Sequence, residues 1–220
     1  MTELLTRRAS LLRFGGLLAA VATGSWWKAR PSEGATAVAC MLTPEQTEGP
    51  YYLPNERVRR NIAGGHPGTP LTLRLSVVDA STCRPIKGAA VDVWHADAAG
   101  VYSGFGTGAG SRTFMRGIQR TDAKGLAVFR TVYPGWYTGR TVHIHVKVHV
   151  GGSVVHTGQL YFRDTLTDAV FRKAPYSKRP DRDTRNATDS IFRNGGRRSL
   201  LTVRRHGAGY TGSIVMGVRR

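Results

Sequence analysis

In the stretch PGWYTGRTVHIHVKVHV, residues 134–150, a phenol, a guanidinium and two imidazoles follow one another closely as Tyr137, Arg140, His143 and His145. Alternate residues of an extended strand share a face, so the two histidines point the same way with Cα atoms about 6.5–7 Å apart. Imidazole nitrogens at that spacing suit bidentate coordination of a metal ion. The H-x-H spacing is weak evidence by itself, and its neighbours strengthen it. The Pro-Gly turn at 134–135 can fold Tyr137 back toward the strand, and Arg140 places a permanent cation just before the first histidine.

A strand must hold these groups. Val142, Ile144, Val146, Val148 and Val150 form one face of it, and Thr141, His143, His145, Lys147 and His149 the other. The wholly apolar face belongs to the core, so the histidines look toward a cleft or another layer. Leu71, Leu73, Leu75 and Val77 alternate in the same way in LTLRLSVVDA. In AAVDVWHADAAG, Val91, Val93 and His95 share one side, with Asp92 and Trp94 on the other. TDAKG (121–125) is a turn leading into LAVFRTV, Gly151 and Gly152 turn the histidine strand back into SVVHTGQLYF, and GSIVMGV reads as a final strand. Residues 41–70 read as an extended arm, 103–112 as a flexible loop, and 164–195 as loop-rich with one short helix near DTLTDAVFRKA. With 27 glycines placed mostly between short apolar runs, the pattern predicts an all-β fold: a β-sandwich of about 7–8 mostly antiparallel strands, with long loops and little helix.

Several stretches taken in order, TPEQTEGPYYLP, VDVWHADAAGVYSG, GIQRTDAKGLAVFRTVYPGWYTGRTVHIHVKV and GQLYF, resemble the intradiol ring-cleavage dioxygenases, the family of catechol 1,2-dioxygenase and protocatechuate 3,4-dioxygenase. The resemblance runs from about 43 to 218. It implies a non-haem Fe(III) ion held by two tyrosinates and two histidines. Matched motif by motif, the metal ligands are Tyr102 in AGVYSG, Tyr137 in PGWY, and His143 and His145 in HIH. Arg140 matches the family's active-site arginine and Gln159 in GQLYF a polar residue behind the ligands. The step from Tyr137 to His143 is much shorter than in some relatives. That loop borders the substrate pocket, so substrate choice does not carry over.

This ligand set is physically coherent. Fe(III) is a hard cation that prefers anionic oxygen. A free phenol has a pKa near 10, and contact with a trivalent cation holds it deprotonated. Two phenolates and a hydroxide cancel the three charges, so the site can be buried at low cost. The resemblance further implies a small aromatic diol and O2 as partners. Tyr102 would act as a base toward the diol, and Arg140 would stabilise negative charge during rearrangement. The ring would open between its two hydroxyl-bearing carbons to give a muconate-type diacid. Relatives form dimers and larger assemblies, so a homo-oligomer is open.

The N-terminus carries TRRASLLR followed by FGGLLAAVATGSWW, the pattern of a twin-arginine export signal. The apolar run is too short to span a membrane. We therefore expect an export signal and linker over 1–39, a dioxygenase domain over 40–220, and a periplasmic or extracellular location. Export would permit a disulfide between Cys40 and Cys83, the only two cysteines, though two separate thiols stay open. The net charge of +18 is mostly scattered, with a loose cluster over 172–205 and no nucleic-acid motif, and reads as a basic surface without a dedicated polyanion partner. His95 reads as structural and His149 as solvated. His66, His156 and His206 receive no role, and Trp94 and Trp136 read as packing. RNATD (185–189) reads as an irrelevant glycosylation pattern or a loop cap. Two other readings compete: a non-enzymatic exported β-sandwich binding a carbohydrate, peptide or polyanion, and an exported Zn or Cu enzyme built on H-x-H.

Overall fold

Leu71, Leu73, Leu75 and Val77 alternate along β1 (Pro70–Asp79) and are all fully buried, with Arg74 exposed between them. A computed structural model describes residues 40–54, 57–105 and 113–219. The export signal and linker expected over 1–39 lie outside these residues, as do 106–112 of the loop. The remaining strands are β2 (Ala90–Trp94), β3 (Arg116–Arg120), β4 (Leu126–Val132), β5 (His143–Val150), β6 (Ser153–Tyr161), β7 (Thr202–His206) and β8 (Gly209–Val218). They form two four-stranded sheets, ordered β4-β1-β8-β7 and β3-β2-β5-β6. Fully burying a side chain such as Leu73 stabilises the fold by about 1.5–3 kcal/mol, and both sheets contribute such residues. Leu71, Leu73, Leu75, Phe129 and Met216 face Val91, Val93, Ile144, Val146, Val148 and Leu160 across a single core.

The expected sandwich is present, with three refinements. Strand β7 reads TVRRH, whose edge position and mostly exposed side chains leave no apolar alternation to detect. Strands β1 and β8 run parallel, with Leu73 opposite Gly212, a pairing between the first and last strands that local patterning does not reveal. Helix α1 (Asp164–Phe171) lies where one was read, but a second short helix, α2 (Ser190–Arg193), follows. Asp189 caps α2 by accepting from the Ile191 and Phe192 amides at 2.8 and 2.9 Å, the usual reward for Asp at that position.

The arm is extended, as expected, and its backbone is tied to both sheets. Thr43 N donates to Gly217 O and Gln46 N to Thr157 O, each at 2.9 Å. Farther along, Ile62 N donates to Arg130 O at 2.9 Å. Cys40 and Cys83 are joined as a disulfide with Cα atoms 5.3 Å apart, pinning the start of the arm to the turn after β1. Beneath this arm the outer face of the second sheet is buried. Asp92, Trp94, His143, His145, Lys147 and Gln159 are each less than a tenth exposed. Among the described residues no helix is long and apolar enough to cross a membrane.

Candidate metal centre

Strand β5 begins at His143, and its outward alternation carries His143 and His145 into the buried layer. Cross-strand pairing sets their surroundings. His145 stands opposite Trp94 on β2 and Gln159 on β6, and His143 opposite Tyr161. The Trp94 indole lies flat on the His145 ring, centroids 4.9 Å apart and planes 4° from parallel, which fixes the imidazole orientation. His143 Nδ1 lies 2.6 Å from the Thr141 carbonyl oxygen. A carbonyl only accepts, so the proton sits on Nδ1 and the Nε2 lone pair faces inward.

The turn before β5 delivers the phenol as anticipated. Tyr137 and Arg140 bridge one another across it, with Gly139 at φ +81°, a backbone state that favours glycine. Tyr137 Oη thereby comes to 3.2 Å from His143 Nε2, and His143 Nε2 to 3.1 Å from His145 Nε2. Two ligand atoms each about 2.1 Å from a shared ion, the usual imidazole–metal distance, stand 3.1–3.2 Å apart when they subtend roughly 95–100°. That angle is ordinary for neighbouring ligands, so each of these two donor pairs fits a shared ion.

Tyr102 comes from a second turn. Asp97 Oδ1 accepts from the Ala99 and Val101 amides at 2.9 and 3.0 Å, and Gly100 sits at φ +81° with a would-be Cβ only 2.2 Å from Trp136 O. Only glycine permits that approach, and it brings the buried Tyr102 ring to 5.6 Å from Tyr137 and 6.2 Å from His145. The Tyr102 hydroxyl and His145 Nδ1 are buried without a hydrogen-bond partner of ordinary geometry. Such groups are rare in a finished core, and a buried phenol whose polar interaction is with Tyr137 of the donor cluster is what a fourth ligand would look like. Among the described residues no group of three or more His, Cys, Asp and Glu side chains is placed to hold a metal, so a two-histidine, one-carboxylate set is not built there.

Electrostatics point the same way. Burial, reinforced by Arg140, lowers His143 to about 3. Burial and then His143 push His145 well below the ordinary imidazole range. Both rings are therefore neutral, the state that ligates. Burial raises Tyr137, and burial together with the neighbouring Tyr137 raises Tyr102 well above the ordinary phenol. Left to themselves the phenols keep their protons. A bound cation is what would favour the phenolates.

Arg140 spreads its fork over four neighbours. Nε donates to Asp189 Oδ2 at 2.8 Å and Nη2 to Gln159 Oε1 at 2.5 Å, while Nη1 stands 3.5 Å from both Tyr137 Oη and His143 Nε2. Gln159 donates in turn to Thr47 O at 2.9 Å, and Tyr161 Oη stands 3.1 Å from its Oε1. All six residues singled out from the sequence thus lie in one region: Tyr137, Arg140, His143, His145 and Gln159 in a linked set, and Tyr102 against it.

Three residues of this region escaped the sequence reading: Tyr51, stacked on Tyr102 at 4.3 Å, Tyr161 and Asp189. Tyr51 and Tyr161 lie within TPEQTEGPYYLP and GQLYF, stretches that carry the resemblance, with no role assigned to either, and Asp189 lies in RNATD, read as an irrelevant glycosylation pattern or a loop cap. His66, given no role from the sequence, lies 3.1 Å from Asp97 Oδ2 and stacks on Phe114 at 3.8 Å; a partner contributed from a distant turn leaves no local signal. His149 is half-buried rather than fully solvated. His95 is structural as read, bonded to Ala96 O and Thr131 Oγ1 at 2.8 Å each.

Comparison with known proteins assigns the chain to a family. A family described as dioxygenase matches residues 47–179, more than half of the chain. Chlorocatechol 1,2-dioxygenase of Cupriavidus pinatubonensis is 30% identical over 166 residues, covering 64% of this chain and 60% of that protein. Catechol 1,2-dioxygenase 1 of Acinetobacter lwoffii is 35% identical over 101 residues, 43% of this chain and 32% of that one. The chain thus spans about 60% or less of the length of these curated relatives. Among solved structures, an intradiol ring-cleavage dioxygenase from Tetranychus urticae superposes with a TM-score of 0.77 at 34% identity, over 82% of this chain and 95% of that one. The dioxygenase domain of a carbohydrate-binding fusion protein from Streptomyces sp. SirexAA-E does so with a TM-score of 0.65 at 34% identity, over 81% and 99%. Sandwich, donor set and sequence likeness converge, and the chain belongs to the intradiol ring-cleavage dioxygenase family.

Proposed function

We propose that the protein is an Fe(III)-dependent intradiol dioxygenase that inserts both atoms of O2 between the hydroxyl-bearing carbons of a catechol, giving a muconate-type diacid. The observation that carries this reading is the position of His143 Nε2, 3.1 Å from His145 Nε2 and 3.2 Å from Tyr137 Oη, with the buried Tyr102 ring 5.6 Å from that of Tyr137. His143, His145, Tyr137 and Tyr102 would hold the iron. Iron held by this set makes a bound catechol ring reactive toward O2.

The chain's own residues do the rest. Tyr102, as phenolate, accepts a proton at Oη from an incoming catechol hydroxyl, and the burial that raises its pKa holds that proton. Nη1 of Arg140 faces the donor cluster and offers a fixed donor to negative charge that develops during rearrangement. Gln159 holds the guanidinium in that pose. The arm and the Trp94–His145 stack keep bulk water from the strand face, so these electrostatic interactions act at low dielectric. The names of the relatives support a catechol, plain or chlorinated, as substrate. The N-terminal sequence supports export by the twin-arginine route ahead of a domain over 40–220.

The test is direct. Iron-loaded protein is expected to absorb in the visible from phenolate-to-iron charge transfer, to lose most of that band in Tyr137→Phe, and to take up O2 with at least one member of a catechol panel. A folded, iron-loaded protein that consumes no O2 with any of them rejects the proposal and favours a non-catalytic binding role.

A further inference from the structure

We propose that Asp189 is the positioning residue for Arg140, and that through Arg140 it sets the rate of the reaction proposed above, on which this inference rests. Asp189 lies ten residues beyond the segment matched to the family, which ends at 179, and about one hundredth of it is exposed. Its two oxygens divide their work. Oδ1 takes the Ile191 and Phe192 amides and so starts α2. Oδ2 takes the Thr141 amide and Arg140 Nε, each at 2.8 Å. One carboxylate therefore fastens a distant helix to the two residues that lead into the histidine strand. Asn186 grips the same place from the other side, accepting from Thr141 Oγ1 at 2.7 Å and donating to Phe162 O at 2.8 Å.

The consequence concerns the direction of the guanidinium. With Nε held by Asp189 and Nη2 by Gln159, the plane of the fork is fixed, and Nη1 can only face Tyr137 and His143. An arginine held at one point rotates about its long stem and spreads that nitrogen over many positions. A donor acts on developing charge only when it is already aimed. Asp189 also places a buried negative charge next to Arg140, which offsets a cation that would otherwise oppose a metal ion close by.

The chemistry of the carboxylate offers a selective variant. In Asp189→Asn one oxygen becomes an NH2 group. If the remaining oxygen keeps the helix cap, the NH2 meets two N–H donors at Arg140 and Thr141, so the anchor is lost while the cap survives. Asp189→Ser keeps a cap and reaches nothing else, and serves if the asparagine variant folds poorly. The first measurement needs neither iron nor substrate. Hydrogen exchange of the Arg140 Nε–H, followed by nitrogen-15 NMR and assigned by its loss in Arg140→Gln, should be slow in the parent chain and about ten-fold or more faster in either variant. The second uses the iron-loaded protein with a catechol that the parent cleaves. Asp189→Asn should lower kcat roughly 10–100-fold with little change in KM, yet add nothing further in an Arg140→Gln background. Unchanged Nε–H exchange in both variants overturns the inference. So does a fall in kcat of the same size whether or not Arg140 is present, since that is what a merely structural residue would give. If the parent takes up no O2 with any catechol, the function proposed above fails, and the exchange measurement still decides whether Asp189 anchors Arg140.

Discussion

The two sheets are built alike and used differently. Outward residues of the sheet containing β1 include the exposed Arg74, Arg130, Arg204 and Val215, so its strands, though β1 and β8 run parallel, alternate apolar inward and solvated outward, as a layer with one face toward water does. In the sheet containing β5, the run from His143 to Val148 is buried on both faces. Its outward side chains are histidine, lysine, aspartate, glutamine and tryptophan rather than a second apolar set. Burying such groups costs free energy unless they are partnered, and many are: Lys147 meets Glu48 and lies 3.6 Å above the Tyr52 ring, and Arg116 donates to Ser103 O and Tyr51 O. One sheet supplies the fold. The other carries the same load and also hides a polar layer that a core alone has no use for.

That contrast can be broken at four places, in order of expected effect. His143→Ala, on the buried polar face, should lower turnover of a cleaved catechol by roughly a thousand-fold or more, while the melting temperature falls by only a few degrees; an unfolded variant would mean that this layer is structural after all. Reduction of Cys40–Cys83, or Cys83→Ser, removes a cross-link spanning 43 residues and should cost about 3–4 kcal/mol of stability in denaturant melts. Because the arm covers the polar layer, its looser attachment should also speed hydrogen exchange at Gln46 more than at strand β4.

Acid supplies a third probe. Burial lowers His156, beside Leu42–Pro44 of the arm, and His95 to about 4 from an ordinary 6.5. Both are neutral in the fold and take up protons when unfolded. The unfolded state thus binds more protons between these values, and stability should be fully present above pH 6.5 and decline toward pH 4. His156→Gln should shallow that decline by roughly 1–2 kcal/mol, read as the pH dependence of the denaturant midpoint, and an unchanged slope would show that His156 carries no part of it. Smallest of all, Arg204→Gln on the exposed sheet face should shift stability by no more than about 0.5 kcal/mol and leave turnover unaltered. A large loss there would erase the distinction between the sheets.

Strand β5 was the most legible part of the molecule, since alternation alone separates Val142, Ile144 and Val146 from His143 and His145. Tyr137 was legible because the Pro-Gly turn lies so near. Tyr102 was reachable only through resemblance, because its approach depends on Gly100 meeting Trp136 O across a loop. Nothing in the sequence links Asp189 to Arg140, for the bond spans 49 positions and the local signal of that aspartate is wholly explained by the helix it caps. Strand β7 stayed hidden because an exposed edge needs no apolar rhythm. The pattern of success follows distance along the chain: contacts made by near neighbours write themselves into local order, and those made by remote partners do not.

Gln46 Nε2 donates to the Ile191 carbonyl at 2.8 Å across 145 positions, and Gln46 Oε1 accepts from Tyr161. A clasp of that span closes only after both sheets have docked, because its loop-closure entropy must be met by contacts already made. The arm should therefore close over the buried polar face late, after the strands beneath it have paired.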